Sequence, residues 1–147
     1  MNDDRVTELP GADPQTQSWR TSRGAIVLRW SDSGALLIVV SVHGDRLFAP
    51  LMTRRADTLL ARGKLKLFFD FWHMPNYDSE LRTEWTRWLL SHRARLEGIQ
   101  VVARSTIVTM GVSVANVALG GIVQSHPTRS GAFLSQLKAA SLTLPEP

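Results

Sequence analysis

Between Asp70 and Arg82 the chain gathers Asp70, Trp72, His73, Tyr77, Asp78 and Ser79, the side chains best equipped for chemistry. An imidazole near a carboxylate is the pairing used for general acid–base work, so His73 and Asp70 are the residues a small enzyme would use here. A hydroxyl that follows an acid at the start of a helix, as Ser79 follows Asp78, suits an anion contact or a modification. No larger catalytic motif surrounds them. Ser79 lies outside any G-x-S-x-G elbow, and the chain has no Walker A loop and no G-x-G-x-x-G after a strand. The histidines, His43, His73, His92 and His126, never fall at H-x-x-x-H spacing, so neither a metal nor another cofactor is expected. Arg104 and Ser105 follow the next strand and would stand beside Ser79 if the sheet runs parallel there. Arg104 then either completes an anion site or forms a salt bridge to Asp70 or Asp78. Trp72 and Tyr77 are recognition groups or caps on the core; the residue types alone allow both.

Those groups sit on a strand–loop–helix junction. Leu65, Leu67 and Phe69 alternate with Lys66 and Phe68 in a run, 64–70, that reads as a central strand. Pro75 and Asn76 close it off, and Asp78 and Ser79 are both N-cap residues for a helix over 78–96, whose stripe is Leu81, Trp85, Trp88, Leu89 and Leu96. In open α/β sheets such an edge is where ligands bind. Upstream, 24–30 and 35–42 are two β-rich runs joined by Ser31-Asp32-Ser33-Gly34, and 48–61 is a helix with Gly63 at its C-cap. Downstream, 99–104 is a strand, 106–119 a helix broken by Gly120 and Gly121, 122–124 a short strand, and Pro127 marks the approach to a final helix. An opening hairpin followed by alternating strands and helices predicts an α/β sandwich with a mixed sheet and about four helices.

At 147 residues and 44% hydrophobic, the chain suits one domain with a full core. Residues 1–18, polar and without periodicity, are expected to be a flexible tail, and 19–147 the domain. The chain has no cysteine, hence no disulfide framework, and its first residues have no apolar signal-peptide core; a cytoplasmic setting follows. The net charge of +4 is carried by scattered arginines rather than a basic run with interleaved aromatics, which argues against nucleic acid. The uncharged stretch 105–124 is interrupted by hydroxyls, Asn116 and three glycines, so no transmembrane span is expected. It reads as a buried helix, or else as a ligand groove or homodimer face, with Gly111, Ala115 and Ala118 permitting close approach.

The junction from Asp70 to Ser79 resembles that of STAS domains, the family of bacterial anti-sigma-factor antagonists and of the cytosolic tails of sulfate transporters. In those antagonists the serine of an Asp-Ser pair is phosphorylated by a partner kinase. Ser79 falls on it and is the candidate phosphosite that the resemblance implies. The chain continues Asp78-Ser79-Glu80-Leu81-Arg82 where antagonists continue Asp-Ser-Ser-Gly-Leu. The order of elements from about Arg23 to Ala140 is similar to the SpoIIAA-like branch, which shares its fold with lipid-carrying CRAL-TRIO (Sec14-like) domains. The resemblance implies a SpoIIAA-like, non-enzymatic binding domain. Its partner would be a protein, such as an anti-sigma or kinase-like one, or, alternatively, a lipid or other apolar ligand. The binding residues expected are Asp70, Trp72, His73, Tyr77, Asp78, Ser79, Arg104 and Ser105.

Overall fold

The computed structural model describes residues 5–11 and 13–145. Its strands are β1 (Thr7–Leu9), β2 (Thr16–Arg20), β3 (Ala25–Ser31), β4 (Ala35–Ser41), β5 (His43–Gly44), β6 (Leu65–Phe71), β7 (Asn76–Tyr77), β8 (Leu96–Ala103) and β9 (Val123–His126), the central ones built from apolar runs. Between them lie α1 (Ala49–Leu60), α2 (Ser79–His92), α3 (Thr106–Ala118) and α4 (Ala132–Ala139). The main sheet has the order β1-β2-β3-β4-β6-β8-β9; β1 to β4 run antiparallel, and β4, β6, β8 and β9 run parallel. β5 and β7 pair in a small parallel ribbon. The parallel half puts the carboxyl ends of β4, β6, β8 and β9 at one edge, as expected for Arg104 and Ser105.

Period-two alternation divides the core. Leu36, Ile38, Leu67, Phe69 and Val101 face α1, α2 and α3, meeting Met52, Leu81, Trp85 and Val108. Leu37, Phe68 and Val102 face α4, where Phe68 meets the edge of the Phe133 ring at 6.0 Å. This is the α/β sandwich with a mixed sheet and four helices that the sequence predicts.

Two expectations are corrected. The supposed tail, 1–18, contains β1 and the first three residues of β2, whose Trp19 is buried in the core. Their polar residues hid them: β1 is the sheet edge and largely exposed, and β2 beside it buries only Thr16 and Trp19. The domain therefore begins before residue 19; residues 1–4 and 12 of the expected tail lie outside the described residues. The helix expected to run to Leu96 ends at His92; a 3-10 turn over Arg93–Arg95 follows, and Leu96 and Gly98 belong to β8. Leu96 keeps its apolar contact by pairing with Leu65 in the sheet. Pro127 lies in the loop before α4. No helix among the described residues is long and apolar enough to cross a membrane.

Candidate functional site

Asp70, at the end of β6, is 1% exposed. A carboxylate so placed needs a partner, and Arg129, from the loop before α4, supplies it. Arg129 Nε and Nη2 each reach Asp70 Oδ2 at 3.0 Å, while the Trp72 amide donates to Oδ1 at 3.0 Å. His73 is exposed and its Nε2 lies 3.5 Å from Arg129 Nη1. The expected His73–Asp70 couple is therefore not formed: both residues turn to the same guanidinium. Trp72 packs on the α4 side of the sheet, and the Arg104 guanidinium stands 5.9 Å from its ring. Arg104 thus makes neither of the salt bridges expected of it, since Asp70 is held by Arg129 and Asp78 by Arg23.

Tyr77, Asp78 and Ser79 belong to the opposite side, with α2 and α3. Asp78 is the N-cap residue of α2 by backbone geometry, yet its side chain makes no capping bond. Its carboxylate instead accepts a fork from Arg23 (Nη1 to Oδ1 2.9 Å, Nη2 to Oδ2 2.6 Å), a contact with His43 Nε2 at 3.0 Å, and the Arg46 amide at 2.8 Å. Arg23 also reaches Asp45. Burial alone would raise the Asp78 carboxyl, but the hydrogen bonds from Arg23, His43 and the Arg46 amide outweigh it and hold the carboxyl well below the usual range. Ser79 is the first helical residue rather than the cap; its hydroxyl is exposed and donates to Glu80 Oε1 at 3.3 Å. The Ser105 hydroxyl caps α3 by accepting from the Val108 amide at 3.4 Å and donates to the Pro75 carbonyl at 2.9 Å, tying α3 to the junction loop.

Tyr77 closes one end of the α2–α3 interface. Its hydroxyl accepts from Arg82 Nη1 at 2.9 Å, and its ring lies so close to Gly111 that a Cβ there would come within 2.0 Å of the hydroxyl. The small residue at 111 is thus required by the tyrosine. Under this contact lies a cavity of about 70 Å³ between α2, α3 and the sheet, walled by Phe69, Phe71, Val101 and Val112 among others.

The expected residues are accordingly split. Asp70, Trp72, His73 and Arg104 share one side of the edge, and Tyr77, Asp78, Ser79 and Ser105 the other. Arg129, Arg23 and His43 are site residues that sequence reasoning missed. Arg129 was accessible to it: the loop after a parallel strand must return to the same edge. Arg23 was not, because the turn that carries it exists only once β2 is recognised as a strand. Among the described residues no group of three His, Cys, Asp or Glu could hold a metal.

No protein-family model matches the chain. No curated protein matches it either. Solved structures do. An uncharacterized protein of the DUF3478 family with a SpoIIAA-like fold, from Shewanella loihica, is 11% identical with a TM-score of 0.55, covering 88% of this chain and 93% of that one. The anti-sigma factor antagonist SpoIIAA in its unphosphorylated form is 13% identical with a TM-score of 0.54, covering 81% and 99% respectively. The likeness lends nothing to the CRAL-TRIO part of the resemblance. This chain has the SpoIIAA-like fold.

Proposed function

We propose that this chain is a non-enzymatic binding domain that acts through a protein partner docked at the carboxyl edge of the sheet and along α3. The observation that carries the reading is the outer face of α3. Ile107, Met110, Val114 and Val117 are all exposed, Val117 at 83%, on a helix with no charged side chain. Contiguous exposed apolar surface of this kind marks an interaction site. A second apolar group stands at the same edge: Val42 is exposed and held at φ 70°, an unfavourable conformation for a β-branched residue, by its amide's bond to the His73 carbonyl. Trp72, His73 and Arg104 supply the polar and aromatic rim. One protein of the same fold is an anti-sigma factor antagonist, which makes a protein partner the natural class. Ser79, exposed beside this surface, is the candidate phosphosite, but a phosphate there would meet Asp78 and Glu80, with the Arg23 fork already occupied.

The test is capture from the native cell by wild type and by Val114→Asp with Val117→Asp, exposed positions whose change leaves the core intact. A partner retained by wild type and lost by the variant supports the proposal; equal capture by both refutes it. Size-exclusion chromatography of the same pair shows whether the partner is a second copy of this chain.

A further inference from the structure

The charges around α3 are all of one sign. From Gly98 to Pro145 the sequence holds no Asp or Glu, while Arg104, Arg129 and Lys138 lie within it. Arg104 precedes the Ser105 cap of α3; it is exposed and forms no ion pair among the described residues, its one contact being the Trp72 ring. At the other end of the helix stands Arg93, also exposed and without an ion pair among the described residues. It lies so close to Gly120 that a Cβ there would come within 2.9 Å of Nη2. The acids of neighbouring elements do not neutralise this pair. Asp70, Asp78 and Glu84 are bound to Arg129, Arg23 and Arg87, and Glu97 in β8 bridges neither arginine. The exposed stripe of Ile107, Met110, Val114 and Val117 runs between the two, on a helix of 13 residues that spans about 20 Å.

Resting on the protein-partner reading, we infer that the partner docks a helix whose apolar face is bordered by carboxylates about 20 Å apart, one set on Arg104 and the other on Arg93. Guanidinium groups match carboxylates in geometry as well as charge, and complementary charge speeds the encounter and fixes its register. A second copy of this chain fits poorly. Laid on itself, α3 sets arginine against arginine whichever way the two helices run, with no acid on either to receive them. A membrane surface fits poorly too. Helices that lie on one carry Lys or Arg on their own polar face and Trp, Phe or Leu on the apolar face. The exposed surface of α3 has none of these.

The test is fluorescence anisotropy of the full chain with two labelled peptides of about 18 residues, long enough as helices to span α3. Both have the same leucine face; one carries glutamates at each end of that face and the other lysines. The glutamate peptide is expected to bind at least about tenfold tighter, with the preference shrinking as salt is raised. Arg93→Gln with Arg104→Gln, both at exposed positions, is expected to cut the preference to less than about threefold. Val114→Asp with Val117→Asp is expected to abolish binding of the glutamate peptide. Failure of wild type to bind that peptide, equal binding of the two peptides, or a preference that survives in the arginine double variant overturns the inference. Sedimentation with phosphatidylglycerol vesicles in place of peptide binding also overturns it, in favour of a membrane. The protein-partner reading fails separately, by equal capture of wild type and the valine double variant from the native cell. Unequal capture without discrimination between the peptides leaves a protein partner that lacks the acidic border.

Discussion

Ser79 and Asp78 are neighbours with different tasks, and substitution separates them. Because Ser79 is not the N-cap and its hydroxyl meets only Glu80, Ser79→Ala should change stability by less than about 0.5 kcal/mol, rather than by the larger loss of a capping residue. Thermal or urea melts would show it. Asp78 behaves otherwise. Its folded carboxyl is held below its unfolded value, so its stabilisation is complete above about pH 4 and is lost as pH falls through that value toward the folded pKa. Asp78→Asn should therefore melt lower than wild type at pH 7, and the gap should close as the pH falls below about 4. A gap that does not vary with pH would mean that the Arg23 fork contributes nothing. On the other side of the sheet, Arg129→Gln should cost about 1–3 kcal/mol, because it leaves the buried Asp70 carboxylate with only the Trp72 amide.

Among the elements, β1 and β2 decide where the domain begins. β2 covers the edge of β3 from Ala25 to Arg29 and brings Trp19 into the core, while Arg23 in the following turn pins α2 to the sheet. Deleting residues 1–20 should therefore cost more than about 3 kcal/mol, the scale of losing one buried tryptophan, and should leave β3 as a bare, aggregation-prone edge. A truncated chain that melts at the wild-type temperature would show that the two strands are ornamental. Helix α3 has the opposite balance. Val108, Gly111 and Leu119 bind it to the core, and the rest of its apolar surface faces outward. It is held at its start by Ser105 and at its end by the turn through Gly120 and Gly121, both at positive φ.

For the molecule as a whole, the sheet is a shared wall between two cores of unequal size. The larger holds α1, α2 and α3, and the smaller holds α4 with Phe68 and Phe133. Phe69→Ala and Phe133→Ala remove buried aromatics from opposite faces, and each should cost about 3–5 kcal/mol. Because β6 contributes Phe68 and Phe69 to both faces, one cooperative transition is expected in each variant. Two separate transitions in the Phe133→Ala melt would mean that α4 unfolds by itself.

The amino-acid sequence alone determined the α/β class, the central strand ending in Asp70, the helix after Asp78, and the placement of Arg104 and Ser105 at the same edge. These follow from period-two and period-3.6 patterns and from turn chemistry, all of them local and all strongest where the element is buried. It did not disclose β1 and β2, whose residues are mostly polar, nor the end of α2, where Leu96 is apolar whether in helix or strand. Only the tertiary structure decided which charges meet. Asp70 finds Arg129 and Asp78 finds Arg23 across long stretches of chain, because a carboxylate withdrawn from water, fully for Asp70 and partly for Asp78, takes whichever guanidinium the topology delivers. Only packing, likewise, leaves the Trp85 indole without a partner above a small cavity and turns half of α3 toward solvent. A helical repeat of apolar residues states how much surface must be covered; the neighbours that cover it are set by the fold.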